Sequence, residues 1–165
     1  MSVFASLVVG ADGATTKNGS SRDISSGVDR TSFLARRRAV DFIFIGGETA
    51  RTEPYHRTPV PVVVASRSLV NALADNRLAH WWNLSPNVAI EKGIKKFGPS
   101  VLVESGEQML EQLLSAKLLD GIYLSITNVT GGEDVVNYEA LLQNFSKVDR
   151  QKIGDTVFIE AKTLK

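Results

Sequence analysis

The sequence predicts an α/β fold, a mostly parallel central sheet with an antiparallel edge, flanked by helices. Three observations carry that prediction. Short apolar runs recur along the chain, with the length and make-up of strands buried on both faces. Most of them alternate with segments whose apolar residues repeat at helical spacing, the pattern of strand-helix-strand crossovers. Towards the carboxyl end strands follow one another without a helical period between every pair, which calls for an antiparallel edge. No internal repeat and no linker divides the 165 residues, so residues 1–165 are expected to form a single domain.

Residues 3–9 are apolar and read as the first buried strand. Residues 10–26 run through Gly, Asp, Asn, Ser and Thr without an apolar period, one long polar loop of the kind that is usually functional. Ser26 and Asp29 have the spacing of a helix-opening box, and the helix that follows carries Phe33 and Leu34 and ends near Arg38. Residues 42–45 form a short apolar run closed by Gly46 and Gly47, a strand entering a turn. A third strand, 60–65, stops at Ser66-Arg67-Ser68. Residues 71–96 read as a short helix, a loop around Pro86 and a second helix containing Ile90 and Ile94. Residues 101–103 are a buried strand, and Ser105 with Gln108 form a capping box before a helix whose Met109, Leu110, Leu113 and Leu114 share one face. Residues 121–127 read as strand, Gly131-Gly132 as a break, residues 138–145 as helix and 157–161 as a closing strand.

Composition removes several function classes. Hydrophobic residues make up 43% and charged residues 22%, ordinary globular usage. Nineteen Lys and Arg against eighteen Asp and Glu leave a formal charge of +1, so no nucleic-acid partner is expected and any polyanion must be held locally. Without cysteine there is no disulfide, thiolate zinc site or cysteine nucleophile, and His56 and His80 cannot make a multi-histidine site, so no metal is expected. The amino end lacks a basic n-region, and no apolar run approaches the roughly 20 residues of a membrane-spanning helix; no membrane partner is expected, and the cytoplasm is the default location.

In open α/β sheets ligands gather beyond the carboxyl ends of the strands, which directs attention to the junctions there. At Gly46-Gly47-Glu48-Thr49 the glycines let backbone N–H groups approach an anion and Thr49 adds a hydroxyl; a plain turn before a helix would use the same residues. Neither a G-x-G-x-x-G fingerprint nor a P-loop is present. Ser66-Arg67-Ser68 offers two hydroxyls and a guanidinium, suited to a phosphate monoester such as the 2′-phosphate of NADPH, or to an ordinary polar turn. Glu104-Ser105-Gly106 lies between a strand and a helix N-terminus, an anion-site position that Glu107 in the first turn opposes. Arg36-Arg37-Arg38 is a charge run at a helix end, from which spacing selects no single member. Asp12 and Asp23 in the long loop fit an acid, a base or a turn former. Trp81-Trp82 beside His80 suit a ring-stacking site, a core or a dimer surface, and no Ser-His-Asp order stands out.

Taken together, several segments form a recognisable series: Asp12-Gly13-Ala14, Asn18-Gly19-Ser20-Ser21, Ile24-Ser25-Ser26, Asp29-Arg30, Arg37, Asp41-Phe42-Ile43, Gly46 through Glu53, and Val101 through Gly106. In this order they resemble the reductase domain of riboflavin biosynthesis, the carboxyl-terminal half of the bifunctional deaminase-reductase and its stand-alone relatives, which share the dihydrofolate reductase fold. The resemblance implies NADPH as cofactor and reduction of 5-amino-6-(5-phosphoribosylamino)uracil, a phosphorylated pyrimidine, by hydride transfer to the ribose C1 of an imine form. It implies that Thr49, Glu53, Ser66 and the Gly106 turn hold NADPH, with the backbone near Val8 facing the nicotinamide. The junctions add Gly46, Gly47, Arg67 and Ser105 to that set. Ser21, Arg37 and Glu104 are implied to contact substrate, Arg37 at the phosphate and Glu104 at the sugar or base; our own reading adds Asp12 as the polar helper in catalysis. Relatives commonly pair, so a homodimer is implied. The chain departs from the family pattern at Gly10-Ala11, at Asp23, at Ser105 and after Glu53, where the usual Asp-Pro-x-Leu does not align. The alternatives are a reductase of another pterin or pyrimidine ring and a non-catalytic nucleotide-binding protein on the same fold.

Overall fold

The computed structural model describes residues 2–165. Strand β1 (Ser2–Val9) alternates strictly, with Val3, Ala5, Leu7 and Val9 buried and the residues between them half-buried. Such a strand belongs inside a sheet whose two faces are covered unequally. It lies ninety residues or more from both of its neighbours, running parallel to β6 (Ser100–Val103) on one side and to β7 (Gly121–Ile126) on the other. Beyond β6 come β3 (Phe42–Gly46), β4 (Val62–Ala65) and β5 (Ala79–Trp82), all parallel. Beyond β7 the direction reverses: β10 (Thr156–Leu164) is antiparallel to β7, and β9 (Phe145–Ile153) is antiparallel to β10. The eight-stranded order is β5-β4-β3-β6-β1-β7-β10-β9, and a separate ribbon pairs β2 (Ala14–Thr16) with β8 (Glu133–Val135).

Helix α1 (Gly27–Arg38) starts where the spacing placed it, because the Ser26 hydroxyl accepts the Asp29 N–H at 3.2 Å. The short α2 (Gly47–Thr52) follows β3 directly; α3 (Pro86–Phe97) opens on a proline, α4 (Glu107–Ser115) follows β6, and α5 (Tyr138–Leu142) precedes β9. Apolar side chains fill both sides of the sheet. The larger cluster joins Val3, Ala5, Phe42, Phe44, Leu110 and Leu113, and a smaller one joins Ile43, Ile45, Ala50, Tyr55, Val62 and Val64. Among the described residues no helix is long and apolar enough to cross a membrane.

Several expectations are corrected. Residues 10–26 are not loop throughout: they hold β2 and a 3-10 turn, Ser21–Asp23. Residues 71–85 contain no helix; that stretch forms turns and then β5, whose four residues are all half-buried and show no alternation to betray a strand. The capping box at Ser105 does not form, since Gly106 is the N-cap of α4 and the Ser105 hydroxyl is buried without a partner. After Gly131-Gly132 comes β8, paired with β2 across the chain. The helix read over 138–145 ends at Leu142, and Phe145 begins β9, a strand exposed at every later residue and therefore lacking an apolar face to read.

Candidate active site

Parallel strands joined by crossovers end at one edge of the sheet. Val9, Gly46, Ala65 and Val103 close β1, β3, β4 and β6, and Ser6, Leu7 and Val8 before the end of β1, with residues at or just beyond the other three ends, line a single cleft of about 1500 Å³. That exceeds the roughly 300–1,000 Å³ of a single small-molecule site and leaves space for two ligands side by side. α1 contributes Arg30, Phe33 and Arg37 at helical spacing, and the 3-10 turn contributes Ser21 and Arg22. Six arginines and six carboxylates line the cleft, so its formal charge is balanced and recognition of an anion depends on local grouping. Among the described residues Arg22, Arg30, Arg51, Arg57 and Arg67 have no ion-pair partner.

Arg37, the sixth, is engaged. Its Nη2 donates to Glu104 Oε1 at 2.6 Å and its Nε to Oε2 at 3.0 Å, the fork geometry that suits guanidinium to carboxylate. Tyr55 donates its hydroxyl to the same Oε1 at 2.5 Å. The guanidinium also lies over two rings, 4.5 Å from Phe33 and 4.9 Å from Tyr55. Glu104 and Tyr55 are both buried. Burial, and next the Glu104 charge, push the Tyr55 phenol well above its ordinary value, so it stays a donor. Burial works against the charged form of Arg37, but the Glu104 hydrogen bond and charge outweigh it and hold the guanidinium above its usual value.

A second grouping surrounds Gly47. A Cβ built there would stand 2.5 Å from Ser66 Oγ and 3.1 Å from Arg51 Nη1, so the absent side chain lets the start of α2 close on the end of β4. The opening of α4 forms a third. Gly106 receives no side-chain cap, open space lies where its Cβ would be, and the neighbouring Ser105 hydroxyl has no partner. Unused N–H donors at a helix start favour an anion, against which stands only Glu107 of the first turn.

Val8, Ser21, Arg37, Gly46, Gly47, Thr49, Glu53, Ser66, Arg67, Glu104, Ser105 and Gly106 all line the cleft. Glu53 is partly engaged there, its Oε1 accepting the Ser21 N–H at 3.0 Å. Asp12 stands apart. Outside the lining, it accepts the Gly131 N–H at 2.9 Å and the Ala14 N–H at 3.2 Å, bonds that hold its carboxyl below the usual range and make it a tie between loops. His56, His80, Trp81 and Trp82 also lie outside the lining; Trp81 donates to Ser68 O at 2.8 Å. Sequence reasoning missed Tyr55, and it gave Arg30 a place in the series of segments but no role in the site. Helical spacing from Arg37 would have found Arg30, whereas nothing local links Tyr55 to Glu104.

The model of the RibD C-terminal domain matches residues 1–159. The chain belongs to this family. Among solved structures, a Thermotoga maritima diaminohydroxyphosphoribosylaminopyrimidine deaminase/5-amino-6-(5-phosphoribosylamino)uracil reductase superposes on this RibD C-terminal domain with a TM-score of 0.73 at 15% identity, over 98% of this chain and 56% of that one. Acinetobacter baumannii RibD gives 0.72 at 14% identity, over 98% and 57%. A pyrimidine reductase-like protein of Corynebacterium diphtheriae gives 0.68 at 14%, over 99% and 92%. The RibD C-terminal domain therefore spans little more than half the length of the first two relatives and nearly all of the third. At these identities the likeness is one of fold, the dihydrofolate reductase type with a mostly parallel sheet and an antiparallel edge. Among curated proteins no sequence matches the chain.

Proposed function

We propose that this RibD C-terminal domain is an NADPH-dependent oxidoreductase that reduces the ribosyl C1 of a phosphoribosylaminopyrimidine of the riboflavin pathway. The observation that carries the reading is one cleft with two chemically different parts, anion-binding groups at the strand ends and the buried Arg37–Glu104–Tyr55 group beside them. The partnerless Ser105 hydroxyl, the uncapped start of α4 and the crowded Gly47 cradle fit a dinucleotide diphosphate. Gly46, Gly47, Thr49, Ser105 and Gly106 would hold that part, Ser66 and Arg67 the 2′-phosphate, and the backbone near Val8 the nicotinamide. When bound, NADPH supplies the hydride. Glu53 orders the turn that carries Ser21 against the substrate, and Glu104, fixed by Arg37 and Tyr55, presents its carboxylate to a sugar hydroxyl or a ring N–H. The protein thus aligns the reacting groups, and its contribution is chiefly orientation. Asp12 supports the site by tying its loops together.

A second reading, reduction of another pterin or pyrimidine ring, is favoured by the engagement of Arg37 with Glu104, which leaves the substrate phosphate to Arg22, Arg30 or Arg57. Calorimetry with NADPH and NADH, followed by NADPH consumption with the phosphoribosylaminopyrimidine and with dihydropterins, separates the possibilities. Tight NADPH binding with turnover of the phosphoribosyl compound is the expected result. Turnover of a dihydropterin alone would establish the second reading, and binding without any turnover would leave a nucleotide-binding protein.

A further inference from the structure

Residues 53–61, between α2 and β4, adopt neither helix nor strand, yet Glu53, Pro54, Tyr55 and Arg57 form one wall of the cleft. A tyrosine has only two side-chain torsions, so its hydroxyl goes where its backbone is held. The support comes from another part of the chain. Residues 71–78, the turns before β5, contribute nothing to the cleft lining, but Asn76 among them is 8% exposed and meets that wall from outside the cleft. Its Nδ2 donates to Tyr55 O at 2.9 Å and to Thr58 Oγ1 at 3.1 Å.

The Asn76 carboxamide has no freedom to turn over. Its Oδ1 accepts the Leu78 N–H at 3.0 Å, so a reversed amide would set donor against donor at Leu78 and acceptor against acceptor at Tyr55. Its backbone is pinned as well: the N–H donates to Leu73 O at 2.9 Å, and the carbonyl accepts the N–H of Ala79, the first residue of β5, at 3.1 Å. Leu73 is fully buried in the same apolar cluster as Tyr55. A second tie joins the two stretches, His56 Nδ1 to Asp75 Oδ1 at 2.8 Å, but its side chains are 59% and 62% exposed, and such pairs contribute little. The buried tie dominates, because a carbonyl left without its donor inside the protein bears its full desolvation cost.

We propose that Asn76 is a positioning residue for the substrate side of the cleft, holding the Tyr55 backbone so that its phenol stays on Glu104. The chain of bonds runs from Asn76 to Tyr55 O, from the Tyr55 hydroxyl to Glu104 Oε1, and from Arg37 to the same carboxylate. Glu104 then meets a ligand in one orientation. This role presupposes that Glu104 touches substrate, as proposed above. None of the hydrogen bonds of Asn76 goes to a residue assigned to the cofactor, so substrate binding alone should depend on it.

Asn76→Asp and Asn76→Ser both keep an oxygen for the Leu78 N–H and so preserve the turn. Neither can serve Tyr55 O, since at pH 7 the aspartate has no donor and the serine is an atom too short. In protein labelled with carbon-13 at the ring carbon that bears the tyrosine hydroxyl, three NMR signals are expected, and the one missing from Tyr55→Phe belongs to Tyr55. In both variants at pH 7 it should move towards the position of an exposed phenol, a shift that lost stability alone does not produce in folded protein. KM for the phosphoribosylaminopyrimidine should rise about tenfold, while kcat and calorimetric NADPH affinity stay near wild type, the mark of a lost ground-state contact. In a Tyr55→Phe background Asn76→Ser should add nothing to KM. An unmoved Tyr55 signal in either folded variant would overturn the proposal. So would a moved signal with unchanged KM, or an equal rise of KM in the Tyr55→Phe background. Should one variant fail to fold, the other decides. If the chain turns over no phosphoribosylaminopyrimidine, the proposed reaction falls, and the Tyr55 signal still decides whether Asn76 holds the phenol in place.

Discussion

Tyr55 joins the segment after α2 to Glu104, just beyond the end of β6, through one hydroxyl. A hydrogen bond to a charged group is worth about 1.5–3 kcal/mol, so Tyr55→Phe should lower stability to urea by about that amount. It should also change the pH dependence. The phenol is raised in the folded protein and titrates near pH 10 in an unfolded chain. Its contribution is therefore complete below about pH 10 and is lost as pH rises beyond, where the unfolded chain releases a proton that the folded one retains. Urea titrations on either side of about pH 10 should show a steep loss in wild type and a shallower one in Tyr55→Phe. At Arg67 the cofactor phosphate is the issue. Arg67→Ala should weaken NADPH binding roughly ten- to a hundredfold by calorimetry and leave NADH unaffected; equal losses for both would remove Arg67 from the 2′-phosphate. Charge patterning could not separate Arg36 from Arg37, because adjacent residues have the same composition but project about 100° apart around a helix. That rotation sends one guanidinium to Glu104 and the other to Ser6 and Tyr123.

Gly47 is where α2 and β4 meet, and its missing side chain is the condition for their contact. Gly47→Ala forces Cβ onto Ser66, so a loss of about 1–3 kcal/mol is expected from urea unfolding, together with weaker NADPH binding. Normal affinity in that variant would separate the cradle from the cofactor. Elements with a buried apolar run or a start signal of their own were legible from sequence: β1, β3 and β6 are apolar runs, and α1 carries its own start signal in Ser26. Strands β5, β8 and β9 were not, since a half-covered or fully exposed strand draws its identity from its neighbour's backbone and leaves no pattern in its side chains. The candidate site divides in the same way. Its glycine and serine junctions follow from chain order, because crossovers bring successive strand ends to one edge, but the Tyr55–Glu104 bond joins residues 49 apart and has no local signature.

At the scale of the molecule, no continuous segment contains the cleft, whose lining runs from Ser6 to Val136. The same dispersion governs the sheet. β1 comes first and sits in the middle, yet β6 starts at Ser100 and β7 at Gly121. During synthesis at about 5–20 residues per second, the apolar segment from Ser2 to Val9 therefore waits for about 5–20 s before its first partner exists. A bare apolar strand with open hydrogen-bonding edges is the kind of surface on which chains associate wrongly. Fragments that stop before β6 should accordingly be insoluble or chaperone-bound. Protection of β1 from protease in stalled nascent chains should appear only after β7 has emerged. Earlier protection would mean that β1 finds a temporary neighbour, with β3 the nearest apolar strand on hand. A cell making this protein must shelter its first strand for most of the time it takes to build the rest, and slowing translation between β5 and β7 should lower the yield of folded chain.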